Sequence, residues 1–264
     1  MYTKTRKYAN FLVIGDYGSG KTYGMQFAPG PVLIHSFDPG GSNCIEQSQI
    51  DSGRVIVDNR FEEDSATEPK AYRAWEREFY RLKQINMFEH VGTYVIDSWT
   101  RFTSALMHEI LKARKRKPPK LSADLGKDPD IIPEMSDYLV HQKVLAQHIS
   151  DIATLPCHTV VIAHMVIDKD EKTGRTFAMV AMDGRKFAQQ MPSLFDEVYF
   201  AEGKPAGTTR KYEYRLTPSG IYIARSRLRR ADVLQEREPQ NLSLILKKAG
   251  MSWEDKQDEV DDPV

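Results

Sequence analysis

Eight consecutive residues near the start of the chain, Gly15-Asp16-Tyr17-Gly18-Ser19-Gly20-Lys21-Thr22, have the types and spacing to hold a polyphosphate. They fit G-x-x-x-x-G-K-[ST], the phosphate-binding loop. Gly18 and Gly20 allow backbone conformations that a side chain would block. The loop's N–H groups can then turn inward around an anion. Lys21 is placed to reach the β- and γ-phosphates, and the Thr22 hydroxyl is suited to Mg²⁺. The flanks argue against a chance Gly- and Ser-rich turn. Phe11-Leu12-Val13-Ile14 reads as a buried strand, and Tyr23 to Ala28 can open a helix whose N-terminus assists the cradle. The expectation is an ATP and Mg²⁺ site.

Three further residues end apolar runs and are candidates for the same site. Tyr94-Val95-Ile96-Asp97 fits a Walker B strand, with Asp97 holding Mg²⁺; the competing reading is a helix N-cap. Asp38 ends the run Val32 to Phe37 and is followed by Pro39-Gly40-Gly41, which turns the chain sharply. It is either the residue that orients attacking water or a turn-forming aspartate. His164 follows Val160–Ala163 and is read as a γ-phosphate sensor or as a satisfied histidine near the core. Ligands of open α/β sheets gather beyond the carboxyl ends of strands, where all three lie.

These groups need a scaffold, and the chain can supply one. It has 264 residues, 41% of them apolar, enough for one large α/β domain. Strand-like runs alternate with helical ones, which favours a mainly parallel sheet with crossovers. Strands are expected at Phe11–Ile14, Val32–Phe37, Val55–Val57, Thr93–Ser98, Thr159–Ala163, Glu197–Ala201, Tyr212–Leu216 and Ile221–Arg225. Tyr72, Trp75, Phe79, Leu82 and Ile85 form one helical stripe; Phe102, Leu106 and Ile110 form another. A long helix is expected over about 134–154 and a final one over about 242–249. Met165–Ile167 and Thr176–Ala181 read as a β-hairpin with a polar tip. One domain is expected over residues 1–250, with a disordered acidic tail over 251–264.

Lys plus Arg and Asp plus Glu both number 37, so the chain is no simple polycation. Basic residues are nevertheless clustered. Lys112, Arg114, Lys115, Arg116 and Lys117 precede a Pro-containing loop read as mobile over Pro118–Pro133. Lys169, Lys172 and Arg175 lie at the hairpin tip, and Arg225, Arg227, Arg229 and Arg230 form a third cluster. Each can neutralise the backbone of single-stranded DNA or be a solvated face. The two cysteines, Cys44 and Cys157, are read as buried free thiols of a reducing compartment. No run approaches the length of a membrane span, so no membrane is expected and a cytoplasmic location is.

Taken in order, Gly15–Thr22, Leu33–Gly41, Tyr94–Ser98 and Val161–Met165 are similar to the RecA-like ATPase core. With Gly184-Arg185-Lys186, Phe195-Asp196-Glu197-Val198 and Arg225-Ser226-Arg227, the chain resembles the phage-encoded RecA-like proteins of the Sak single-strand annealing group. The resemblance covers about residues 11–250. It implies that the strand before His164 lies between the strands of the phosphate loop and of Asp97. It implies ATP at the interfaces of a homo-oligomer, ring or filament, in the host cytoplasm. A neighbouring subunit would supply a basic finger, with Arg185, Lys186, Arg225 and Arg227 as candidates. A single-strand-binding protein is a further expected partner. Full recombinases of this type carry Glu where this chain has Asp38, which implies slow turnover; DNA stimulation of the ATPase is expected alongside. A ring-forming motor for DNA packaging or protein assembly is the alternative, because it would use every nucleotide residue in the same way.

Overall fold

The computed structural model describes residues 7–115, 133–170, 173–174, 176–229 and 233–256. The apolar runs pair into a central sheet. Its strands are β1 (Asn10–Gly15), β2 (Val32–Ser36), β3 (Val55–Asp58), β4 (Thr93–Asp97), β5 (His158–Ala163), β8 (Glu197–Ala206), β9 (Thr209–Arg215), β10 (Arg225–Ser226) and β11 (Arg237–Pro239). The order is β11-β9-β8-β1-β5-β4-β2-β3, with β10 pairing β8 off this path. The six strands from β8 to β3 run parallel, and β9, β10 and β11 run antiparallel to their neighbours. This is the RecA-like P-loop α/β fold. β5 lies between β1 and β4, as the resemblance implied.

Successive side chains of a strand face opposite ways, so a strand covered on both sides is apolar throughout. In β1, Leu12 and Ile14 enter one core while Phe11 and Val13 enter the other. The first core is covered by α2 (Ala71–Gln84), α3 (Trp99–Ala113) and α4 (Met135–Ala153). Trp75, Phe79 and Phe102 are fully buried there, so the two apolar stripes are core packing, except for Ile85, which caps the end of α2 and is exposed. The other face is covered mainly by α6 (Leu242–Ala249). Two short helices complete the set among the described residues, α1 (Gln47–Asp51) and α5 (Arg185–Gln190). The expected hairpin forms a separate two-stranded sheet, β6 (Met165–Lys169) with β7 (Thr176–Val180).

Several expectations need correction. The phosphate loop leads into a single 3-10 turn, Tyr23–Phe27, and not into the opening of an α-helix read over Tyr23 to Ala28. Pro29 and Pro31 follow at once; proline lacks the N–H a helix needs and pushes the preceding residue toward extended backbone. The strand expected over Ile221–Arg225 is reduced to Arg225–Ser226, with Gly220 in the left-handed region ahead of it. β8 and β9 are longer than expected, and β11 was not foreseen.

The ordered body also runs past Gly250. Asp255 accepts from the Gly30 N–H at 2.6 Å and from Arg54 at 2.9 and 3.0 Å. Lys256 Nζ donates to the carbonyls of Phe88 and Pro156. The acidic stretch therefore begins as a packed strap, and residues 257–264 lie outside the described residues, as do residues 118–132 of the loop expected over 118–133.

Candidate active site

Register brings the candidates together. Ile14 is level with Ala163, Ile162 with Asp97, and Asp97 with Ser36. The phosphate loop, His164, Asp97 and Asp38 therefore leave the same edge of the sheet from four adjacent strands. They line one open cleft of about 830 Å³, within the range that takes a nucleotide.

The loop has the strained backbone its sequence implies. Gly18 and Gly20 have φ of 68° and 83°. A β-carbon on Gly20 would stand 2.5 Å from Tyr212 Cδ1, so β9 packs directly on the loop. A β-carbon on Gly15 would meet the Ala201 carbonyl of β8 at 2.7 Å. The Gln240 amide donates to the Ser19 carbonyl at 2.8 Å, and Arg210 Nη1 donates to that of Gly18 at 3.2 Å. Asp16 caps the Tyr17 N–H at 3.0 Å. Because only one turn of helix follows, a macrodipole adds little here, and loop amides and Lys21 carry the positive potential.

Lys21 is 6% exposed. Its Nζ donates to the carbonyls of Gly15 at 2.9 Å and Asp16 at 2.7 Å. Burial lowers its pKa to about 8, against the carboxylates of Asp97, Asp16 and Asp38. Thr22 Oγ1 donates to Asp97 Oδ2 at 2.5 Å. Asp97 is 4% exposed, and burial raises its pKa to about 6 although Thr22 and Lys21 oppose the shift. A hydroxyl and a buried carboxylate converging beside the loop are hard oxygen donors of the kind Mg²⁺ takes. This donor set fits the ion, and the Gly20 corner, closed to any β-carbon, fits a loop that hugs its ligand.

Asp38 Oδ2 lies 3.1 Å from His164 Nε2, and Arg101 Nε lies 3.6 Å from Asp38 Oδ1. Burial alone would raise the Asp38 pKa, but the His164 hydrogen bond and the Arg101 charge more than offset it, and the carboxyl titrates below its usual range. The His164 ring stacks on Tyr17 of the loop at 4.6 Å, and the His164 main-chain N–H donates to Thr100 Oγ1. Loop, sensor candidate and carboxylate thus form one connected chain, Tyr17–His164–Asp38–Arg101.

The chain belongs to the AAA domain family. Its residues 7–228 match that family's description, an AAA domain. Membership makes it a P-loop ATPase domain by fold and loop. Among solved structures it is similar to a KaiC-like protein, PH0186, from the hyperthermophilic archaeon Pyrococcus horikoshii OT3. Identity is 11%, coverage is 88% of this chain and 84% of that one, and the TM-score is 0.41. It is also similar to an ATPase from the type III secretion system of pathogenic bacteria, at 12% identity, 73% and 51% coverage and a TM-score of 0.43. It spans about half of that second protein's length. Among curated proteins, none matches the chain.

The remaining candidates are placed as follows. Arg185 pairs with Asp168 at 2.7 Å and donates to the Lys169 carbonyl, bracing the β6–β7 hairpin; Lys186 next to it is exposed. Arg225 donates to the carbonyls of Pro192 and Phe195, and Arg227 pairs with Asp196 at 2.8 Å. Neither lines the cleft of its own chain, since β10 pairs with the start of β8 at the far end of the sheet. Arg229 donates to the Leu234 carbonyl. Lys112, Lys115 and Lys169 are exposed, whereas Arg114 reaches Ser136 and Asp137 and ties α3 to α4. Arg116, Lys117, Lys172, Arg175 and Arg230 lie outside the described residues.

Arg101, Arg210, Tyr212 and Gln240 touch the site unforeseen. Arg101 sits on the outer face of an amphipathic helix, where a charge reads as solvated; the others lie in polar stretches without a motif. Cys44 corrects the thiol expectation: both cysteines are free, but Cys44 is exposed at the cleft and only Cys157 is buried. No described helix is long and apolar enough to cross a membrane.

Proposed function

We propose that this chain binds and slowly hydrolyses ATP as a homo-oligomer on single-stranded DNA, and that it is a phage-encoded protein promoting annealing or strand pairing. The supporting observation is that Lys21, Thr22, Asp97, Asp38 and His164, from four strand ends, share one cleft while β6 starts at the residue after His164. The loop amides and Lys21 bind the β- and γ-phosphates. Thr22 and Asp97 would hold Mg²⁺, which when bound neutralises charge on the phosphate oxygens. Asp38, ionised at neutral pH, accepts a hydrogen bond from water and aims its oxygen at the γ-phosphorus. Water oxygen bonds to phosphorus, the bond to the β–γ bridging oxygen breaks with its electron pair leaving on ADP, and the water proton passes to solvent or phosphate.

His164 stands between Asp38 and the hairpin. Losing the γ-phosphate shifts it, and β6–β7 follows. Lys112, Lys115 and Lys169 then contact the DNA backbone, joined by Arg116, Lys117, Lys172 and Arg175 from the same two segments. A neighbouring subunit supplies a basic finger. Arg225 is already committed to main-chain carbonyls, so that role falls to Arg185, Lys186 or Arg227. A single-strand-binding protein is the expected handover partner.

The test is ATP hydrolysis with and without single-stranded DNA, with filter binding across a salt series in a non-hydrolysable ATP analogue. Stimulated turnover and affinity that falls steeply with salt are expected. No DNA binding at low salt removes the annealing role and leaves the ATPase. A closed ring that translocates duplex DNA replaces it with a packaging motor.

A further inference from the structure

Asp38 lies two residues beyond the end of β2, where the sheet no longer holds the chain. Its carbonyl accepts from the Gly41 N–H at 2.8 Å, Pro39 follows it, and Gly40 has φ 69° and ψ 7°. These mark a type II turn. Such a turn fixes its own shape but not its orientation on the sheet.

Glu62 supplies the orientation. Its Oε1 accepts from Ser36 Oγ at 2.6 Å and its Oε2 from the Gly40 N–H at 3.3 Å. One carboxylate therefore grips the chain two residues before Asp38 and two residues after it. Glu62 is itself anchored. Phe61 is fully buried and stacks on Phe37 at 5.4 Å, so the rings adjoining the two acids are locked together in the core. The segments leaving neighbouring strands β2 and β3 thus each present a Phe–acid pair, and one acid buttresses the other.

We propose that Glu62 is a positioning residue for ATP hydrolysis, holding the turn that aims Asp38 at His164 and at the attacking water. The proposal rests on the role given to Asp38 above. Glu62 does not line the cleft, so it acts through Asp38 and touches neither nucleotide nor water. Hydrogen bonds to a carboxylate are the stronger kind, and catalytic groups tolerate little misplacement.

The test compares Glu62→Ala, Glu62→Gln, Asp38→Asn and the Glu62→Ala/Asp38→Asn double variant. Glu62→Ala is expected to lower kcat by about 10-fold or more while affinity for a non-hydrolysable ATP analogue stays within about 2-fold. Glu62→Gln keeps an acceptor for Gly40 and can still pair with Ser36, so it restores most of the rate. The double variant matches Asp38→Asn alone, because the two residues act as one unit. The NMR signal of the His164 ring, read without nucleotide, moves in Glu62→Ala toward its position in Asp38→Asn and stays put in Glu62→Gln.

Unchanged kcat with an unmoved His164 signal overturns the proposal, as do additive losses in the double variant or an equal loss of nucleotide affinity. If Glu62→Ala does not fold, Ser36→Ala, which removes the shorter contact to Glu62 and the 3.4 Å contact of Ser36 Oγ with the Asp38 carbonyl, must show the same pattern at about 3-fold. If the wild-type chain hydrolyses no ATP, the hydrolysis reading fails, and the His164 signal still decides the role of Glu62.

Discussion

Asp97 and Lys21 carry opposite charges where burial disfavours both. Burial raises Asp97 from 3.8 to about 6 and lowers Lys21 from 10.5 to about 8. The signs follow from linkage. Between about pH 4 and 6 the folded chain holds the Asp97 proton more tightly than the unfolded one does, so this group's contribution is present at the acid end and lost as pH rises through 6. Between about pH 8 and 10.5 the folded chain gives up the Lys21 proton more easily, so stability rises with pH there. Removing the buried charge should stabilise the nucleotide-free protein while damaging its function. Asp97→Asn is expected to melt higher than wild type at pH 7. The gap should shrink as pH falls from about 6 to 4, and Mg²⁺-dependent nucleotide binding should be lost. Calorimetry across pH, with nucleotide titrations beside it, reads both. The loop string announces Lys21 and Thr22 unaided. Arg101 and Glu62 were invisible, because a lone charge on a helix or loop carries no pattern until its partners are known.

At the scale of elements, the phosphate loop is held from outside. β9 and the segment after β11 press Tyr212 and Gln240 against Gly20, whose φ is 83°. Gly20→Ala combines a disfavoured backbone conformation with a 2.5 Å approach to Tyr212 Cδ1. It is expected to destabilise the fold by about 1–3 kcal/mol and to weaken nucleotide binding. Urea unfolding measures the first and analogue titration the second. Tyr212→Ala in the same chain relieves the contact but leaves the φ strain, so it restores only part of the stability. Apolar periodicity marked the parallel strands, which are buried on both faces except for the edge strand β3. It did not mark the outer half of the β8–β9 hairpin, where Gly203-Lys204-Pro205-Ala206 faces Thr209-Arg210-Lys211-Tyr212 and main-chain pairing does the work. Nor did it mark Arg237-Glu238-Pro239, whose place depends on the edge that β9 offers.

Across the whole molecule, two cores sandwich one sheet, and a C-terminal strap closes the end away from the cleft. Beyond the Asp255 and Lys256 contacts, Ser252 accepts from His158 Nε2 at 2.7 Å, and Lys247 Nζ sits 4.3 Å above the Trp253 ring. Ending the chain at Gly250 should therefore destabilise it by on the order of 2–4 kcal/mol, since it strips partners from Arg54, Gly30 and His158. Cleft chemistry should survive below the new melting point. Thermal melts of the shortened and full chains, with ATPase assays at low temperature, check both halves. The acidic composition of this segment reads as a solvated tail, and composition cannot reveal that one of its carboxylates finds an arginine 201 residues away.

The class of protein is legible in the chain before any folding is considered. A Gly-rich loop between a strand and a turn, and apolar strands ending in Asp97 and His164, are local signals written in consecutive residues, and backbone sterics and strand periodicity act on consecutive residues. The folded arrangement alone reveals how Asp38 is held, that His164 lies on it, that Arg225 is tied to carbonyls, and that the loop's helix shrinks to one turn buttressed by β9. Each of these depends on distances between residues far apart in the chain, set by strand order and register.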